Sequence, residues 1–251
     1  MLTALVGALA VEVAPLVREA QAGESELHPA KATERRLGQP VYRGRLGATD
    51  VLIVEVGIGK VRAAATLQSV IERYPIERVI ALGSAGAVNP GLSVGDVVIA
   101  QRVTQHDFML ITRRNLPGAG HEWIMTDAGL TVQLVEAATR VGLGARVKTG
   151  SIITGDTVIV DSEARQRLWE TFGADCVEME GAALALVCTL NQIPFALARG
   201  LTDRADAEAV GSFRERINEV SETVASVVME CVRGFTSPPA PLPPIQSGGE
   251  G

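Results

Sequence analysis

The sequence predicts an α/β fold in which a mainly parallel sheet is covered by helices. Strand-like and helix-like segments alternate along the chain, and several of the strand-like runs are apolar on both faces, as strands sandwiched between helix layers are. A length of 251 residues with 47% hydrophobic content is enough for one sizeable core, so a single domain is expected. Leu2 to Val6 is an apolar run closed by Gly7, a first strand, and from Val11 to Ala20 apolar residues recur at helical spacing. PVYRGRLG from Pro40 and VLIVEVG from Val51 read as strands around a Gly-Ala-Thr-Asp turn. Lys60 to Arg73 is Ala-rich with helical period, and RVIALG, Arg78 to Gly83, is a buried strand. Asn89, Pro90 and Gly91 mark a loop, after which DVVIAQRVTQHDF from Asp96 reads as a long strand. From Phe108 to Trp123 the pattern is irregular around LPGAG, a loop suited to covering a site or meeting a partner. A helix over Thr126 to Val141, a strand over Arg146 to Thr154 and a helix over Ser162 to Phe172 follow. Cys176 and Val177 form a short extended piece, GAALALVCTL a helix apolar on all sides, PFALARG a strand, and Phe213 to Val232 a final amphipathic helix. Residues 234–251 are rich in Pro, Ser and Gly and read as a disordered tail, which leaves 1–233 as the folded domain.

Composition excludes several classes of partner. The net charge is −6 and the pI about 5.2, with Lys and Arg scattered, which argues against nucleic acid and anionic membrane surfaces. The N-terminal MLTALVGALAVEVAPLV lacks a basic leader and is interrupted by Glu12, so it reads as strand and helix rather than a signal peptide. No run approaches the ~20 apolar residues a membrane-spanning helix needs. Cys176, Cys188 and Cys231 are widely spaced in apolar surroundings and read as reduced core residues of a cytoplasmic protein. His28, His106 and His121 have no partner at metal-ligand spacing, no Ser, His and Asp order suggests a triad, and no metal is expected.

Three glycine clusters invite a phosphate reading. In VGIGKVRAA, Gly57 and Gly59 are present, but Arg62 stands where a dinucleotide fingerprint has its third glycine. Lys60 follows a glycine, but Val54 and Val61 replace the first glycine and the Ser or Thr of a P-loop. The two glycines serve either a tight turn or a close approach of backbone N–H groups to a ligand. GSAGAV, Gly83 to Val88, ends a strand where open α/β sheets place ligands; Ser84 could bond a polar substrate or cap the next turn. Asp156, in TGDTVIV, reads as an Asx-turn.

The carboxylates carry more chemistry. Glu12, flanked by Val11 and Val13, is either an isolated acid of raised pKa suited to proton transfer or a first-turn glutamate favouring the helix dipole. Asp203, in ARGLTDRAD, ends an apolar strand and belongs either to a site or to an ion-pair cluster or helix cap with Arg199, Arg204 and Asp206. Glu178 and Glu180 share a face if the segment is a strand and diverge by about 200° if it is a helix, so only one need enter a pocket. A glutamate entering the apolar helix must be partnered by hydroxyls, amides or a ligand.

With GALAVE ending at Glu12, GIGK at Gly57, GSAG at Gly83, VEMEGAA at Val177 and the TD of Thr202 and Asp203, in this order over roughly residues 2–233, the chain resembles the nucleoside phosphorylase/hydrolase superfamily. It is most similar to the 5'-methylthioadenosine/S-adenosylhomocysteine nucleosidase branch. The resemblance implies a single α/β domain around a mixed, partly closed sheet, a homodimer, and hydrolysis of an N-glycosidic bond with no cofactor and a small nucleoside as substrate. Carried over by motif, Asp203 would protonate the purine at N7 and Glu12 would orient and deprotonate water. Glu180 would bind the ribose hydroxyls with Met179 against the sugar, and Ser84 and Arg199 would help to hold the ribose and the acid. Backbone at Val158 and Ile159 would read the purine edge, with Ile58, Thr202 and Phe213 completing the binding set. The loop around 108–118 would lie near the neighbouring subunit's site.

An acid at the leaving group and a base at water suit an oxocarbenium-like transition state. The superfamily's phosphorylases hold phosphate with arginines where this chain has Ala81 and Leu82, and Ala10, Val11 and Glu12, so water is the expected nucleophile. The chain departs from the nucleosidases at Val158, where they carry an aromatic, and in FMLITRRNLPG after Asp107. Arg113 and Arg114 there would suit a carboxylated substrate or be merely solvated. The alternatives are a futalosine-type nucleosidase, a nucleoside phosphorylase, and a nucleoside-binding protein without turnover. Glu178 has no role in this reading; a solvated or ion-paired position is expected for it, and its replacement by Gln is expected to be mild.

Overall fold

The computed structural model describes residues 2–22, 32–108 and 122–235. The loop expected over 108–118, with Arg113 and Arg114, lies outside the described residues from 109 onward, as do His28, His121 and the tail from 236. The elements are β1 (Leu2–Gly7), α1 (Ala10–Ala20), β2 (Glu34–Arg36), β3 (Gln39–Leu46), β4 (Thr49–Glu55), α2 (Lys60–Ile71), β5 (Arg78–Ala87), β6 (Val97–Gln105) and β7 (Ile124–Met125). Then come α3 (Ala128–Arg140), a 3-10 turn (Gly144–Arg146), β8 (Val147–Thr154), α4 (Ser162–Phe172), β9 (Cys176–Glu178), α5 (Gly181–Leu190), β10 (Phe195–Asp203) and α6 (Ala209–Arg233).

The strands form one sheet that closes on itself at one end. β5 pairs with β10, β10 with β6, β6 with β8, β8 with β9, and β9 returns to β5, making a ring of five strands. From β5 the sheet continues outward through β1, β4, β3 and β2. The sheet is mixed and partly closed, as the resemblance implies, rather than mainly parallel as the apolar pattern suggests: β10 runs antiparallel to β6, β9 to β5, and β3 to β4. A run apolar on both faces reports burial and carries no record of strand direction, which is why the pattern does not show this.

Alternation along the strands divides the core between two helix layers. On β1, Ala4 and Val6 face α2 and α5, where Ala63, Leu67, Leu184 and Cys188 complete one apolar cluster. Leu5 points to the other side, against Leu16 of α1, Leu134 of α3 and Val224 and Val228 of α6. The helix α4 has no buried residue of its own and lays Leu168, Trp169 and Phe172 over a small cluster around Ile153 and Val177.

Several boundaries differ from the sequence pattern because distant pairing decides them. β5 continues through the glycine-rich GSAG to Ala87, held by β10 and then β9. β10 likewise runs on to Asp203 through a bulge after Leu201. α6 starts at Ala209, earlier than the apolar periodicity indicates, and the packed chain runs past Arg233: Phe235 is buried, with the Arg78 guanidinium 4.3 Å from its ring centre.

Gly200 shows how tightly α6 lies on β10. A Cβ at this position would come 2.8 Å from Val224 Cγ2 and also run into Val220. Gly200→Val is therefore expected to destabilise the fold by ~1–3 kcal/mol through overpacking, read as a lowered urea midpoint.

Candidate active site

A cavity of about 360 Å³ opens where β1, β8, β9 and β10 end and where β5 passes through its glycine-rich segment. Glu12, Ser84, Met179, Glu180, Thr202 and Asp203 line it, as do Ile58, Val158, Ile159 and Phe213. Arg199 does not reach the cavity; it is 1% exposed and sits behind the wall. Ala8 and Leu9 of GALAVE and Thr157 of TGDTVIV also line the space, as do Ala205 and Val210, to which no motif in the sequence points.

Glu12 is in the first turn of α1, buried rather than exposed, and lines the cavity. Leu9, at the N-cap of α1, has no side chain able to cap, and Glu12 reaches back instead. Its Oε2 accepts from Ala8 N at 2.9 Å and Leu9 N at 3.0 Å. Oε1 accepts from Ser84 N at 2.8 Å and Ser84 Oγ at 2.9 Å. Four donors from two elements hold the carboxylate in one orientation, and Ser84 Oγ is the only one of them free to rotate.

VEMEG is divided by the fold. Glu178 ends β9, Glu180 is the N-cap of α5, and both are buried. Glu178 accepts from Arg199 Nη2 and Thr154 Oγ1, from Gly181 N at 2.7 Å and from Glu180 N at 3.1 Å. Glu180 lies with Oε2 3.5 Å from Arg199 Nη2 and accepts from Gly59 N at 2.8 Å. Gly59 has φ 94°, so its glycine serves the turn and also brings an N–H onto this carboxylate. Burial and the neighbouring Glu178 push the Glu180 pKa up to about 7, against the opposing pull of Arg199 and the Gly59 N–H. For Arg199, burial disfavours charge, but Glu178, Glu180 and Glu12 together hold its pKa above the ordinary value and keep it a permanent cation.

Asp203 faces the same cavity from the end of β10. Its Oδ2 accepts from Thr202 Oγ1 and its Oδ1 from Ala205 N, each at 2.8 Å. Burial raises its pKa, the two hydrogen bonds pull it down, Asp206 adds to the rise, and the net shift is upward. Arg165, not Asp203, is the partner of Asp206, at 3.8 Å. The cavity thus places one carboxyl with a raised proton affinity opposite a carboxylate locked by backbone and serine donors. That arrangement suits an acid and a base working on one small molecule. Among the described residues lining it there is no Lys or Arg, and no three His, Cys, Asp or Glu side chains are arranged to hold a metal ion.

Of the two positions expected for Glu178, solvated or ion-paired, the structure gives the ion-paired one, buried against Arg199, and these contacts argue against a mild effect of replacing it. Glu178→Gln would leave Arg199 without its main counter-charge and turn an amide toward the Gly181 N–H. A loss of about 3 kcal/mol is expected in chemical denaturation, the scale for breaking a buried ion pair. Glu180→Gln, which keeps the Arg199–Glu178 pair, should cost clearly less.

A family model described as Phosphorylase superfamily matches residues 3–233. The 5'-methylthioadenosine/S-adenosylhomocysteine nucleosidase of Colwellia psychrerythraea is 32% identical over 237 residues, covering 91% of this chain and 94% of the relative. The aminodeoxyfutalosine nucleosidase of Campylobacter jejuni is 29% identical over 233 residues, covering 92% and 97%. The solved structure of S-adenosylhomocysteine nucleosidase from Streptococcus pyogenes in complex with 5-methylthiotubericidin superposes with a TM-score of 0.83 at 26% identity, covering 94% of this chain and 98% of that one. With its fold, its motifs and nearly its whole length accounted for, the chain belongs to the phosphorylase superfamily, among relatives that are nucleosidases.

Proposed function

We propose that this protein hydrolyses the N-glycosidic bond of a purine nucleoside of the 5'-methylthioadenosine/S-adenosylhomocysteine type, releasing the free base and a ribose derivative. The observation that carries this reading is that Asp203, Glu12 and Glu180, from three different elements, line one cavity. Asp203, whose proton affinity burial raises above that of an ordinary aspartate, donates a proton to purine N7 as the C1'–N9 bond breaks and the electron pair passes to the base. Water bonds to C1' and gives its proton to Glu12, which Ala8, Leu9 and Ser84 hold in place. Glu180 accepts the ribose 2'- and 3'-hydroxyls, Met179 packs against the sugar, and the backbone at Val158 and Ile159 faces the base, with Ile58, Thr202 and Phe213 closing the walls. Positive charge developing on the ribose is stabilised by the carboxylates around it. Arg199 acts one step removed, holding Glu178 and Glu180.

Water rather than phosphate is the nucleophile in this reading, since a dianion would meet Glu12 and no lining arginine or lysine among the described residues. The relatives at this similarity include an aminodeoxyfutalosine nucleosidase, which supports a second substrate of the same chemistry with a bulkier 5' group.

A homodimer is part of the proposal. Ile58, Val61, Phe108, Met125, Leu186 and Leu190 are exposed large apolar side chains on or beside α2, α5, β6 and β7, and such a cluster is suited to a second copy. It also gives the apolar outer side of α5 a purpose. A cytoplasmic location is supported by three free, buried cysteines, and no described helix is long and apolar enough to cross a membrane.

Release of adenine from 5'-methylthioadenosine in phosphate-free buffer is the expected result; turnover that requires phosphate would instead make the protein a phosphorylase. Asp203→Asn should lower kcat by about 10²–10⁴, the range for loss of a general acid, while nucleoside binding persists. Binding should also depend on pH through Glu180. Below about pH 7 it carries a proton and above it both oxygens accept ribose hydroxyls, so KM should fall as pH rises through that value. The same titration should vanish in Glu180→Gln.

A further inference from the structure

Lys60 is the first residue of α2, and its ammonium lies outside the cavity wall with a side chain only 16% exposed. It donates to Asp107 Oδ1 at 2.6 Å and to Gln105 Oε1 at 3.0 Å, and it lies 4.0 Å from Asp156 Oδ2. Asp107 in turn accepts from Asp156 N at 2.9 Å through its other oxygen, and Asp156 Oδ1 accepts from Lys60 N at 2.8 Å. The contacts form a closed circuit joining the end of β6, the segment after β8 and the N-terminus of α2.

The neighbours of this circuit in the chain are what give it meaning. Asp156 directly precedes Thr157, Val158 and Ile159, which form the wall assigned to the base. Lys60 directly follows Gly59, whose N–H holds Glu180. The first two N–H groups at the positive end of α2 are thus each bonded to a carboxylate, one on the base side and one on the ribose side. A half-buried ammonium loses hydration and must recover it from partners; here Asp156 adjoins the cavity-lining residues 157–159, while Gln105 and Asp107 anchor the circuit to the end of β6 behind them. Lysine suits the position because its three donors radiate from one point, whereas a guanidinium spreads them in a plane.

We propose that Lys60 is a positioning residue for the base-facing wall, fixing the 156–159 segment through Asp107 and Asp156 at a set distance from Glu180. This rests on the nucleosidase reading, which gives that wall its ligand.

The test measures steady-state hydrolysis of 5'-methylthioadenosine and calorimetric binding of adenine for wild type, Lys60→Met and Lys60→Arg, with melting temperatures alongside. For Lys60→Met, KM should rise and adenine affinity fall by about tenfold or more, the scale of a lost charge-assisted hydrogen bond. The kcat should stay within about threefold of wild type, and Lys60→Arg should recover part of the binding. Unchanged KM and adenine affinity, a loss confined to kcat, or an arginine variant no better than methionine would each overturn the proposal. If Lys60→Met does not fold, Asp107→Asn takes its place: a rise in KM with weaker adenine binding supports the proposal, and unchanged binding overturns it. Wild type that neither hydrolyses a purine nucleoside nor binds a purine removes the nucleosidase reading and this inference with it, whereas an active wild type with an indifferent Lys60→Met removes the inference alone.

Discussion

The interior of this protein is organised around one enclosed positive charge. Arg199 is on the central strand β10, almost without exposure, and cannot shed its proton, so the surrounding chain must supply negative charge or the fold does not form. Glu178 meets it directly and Glu180 stands 3.5 Å away. Gly83 belongs to the same constraint. A side chain there would place its Cβ 2.6 Å from Glu12 Oε1 and against the Arg199 guanidinium, so the glycine makes room for two charged groups to approach each other. Three acids that the sequence scatters over 168 positions are gathered by a single base; all three touch the cavity, and two of them, Glu12 and Glu180, are the groups assigned to catalysis and ribose binding.

The cavity wall and the layer behind it carry opposite charge. Glu12, Glu178, Glu180 and Asp203 touch the cavity, while Arg199 and Lys60 lie outside its lining. A pocket built this way presents acids to a substrate that becomes cationic as its glycosidic bond stretches, and keeps the balancing cations where they hold the acids in position. The two cations serve different segments: Arg199 the β9–α5 junction, Lys60 the meeting of α2 with the ends of β6 and β8.

Much of this is legible in the sequence where the signal is local. The apolar periodicity of residues 162–172 and of GAALALVCTL coincides with α4 and α5, and strands such as β1 and β8 begin and end close to where the pattern changes. Where sequence reading stops short, the deciding contact is distant. GSAG looks like a turn and is strand because β10 and β9 flank it. β2 and β7, three and two residues long, have too little pattern to read at all. Glu12, Glu180 and Asp203 can be singled out by motif, yet Glu178 cannot, since nothing within VEMEG indicates which carboxylate will meet an arginine from a strand twenty residues further on. Lys60 is visible as a failed P-loop and as the last residue of GIGK, but neither assigns it a role, and its partners at 105, 107 and 156 come from other parts of the chain.

The ring of five strands has a bearing on how the molecule keeps to itself. A ten-stranded open sheet would end in two rows of unpaired amides and carbonyls, each a template for a stray chain. Here β10 turns back onto β5, which removes one of those rows, and the other is carried by β2, three residues long and bearing Glu34, Arg35 and Arg36. Because β2 covers only Gln39–Val41 of β3, the outer margin among the described residues continues along Tyr42–Leu46, where Arg43 and Arg45 add further charge against backbone pairing by another chain.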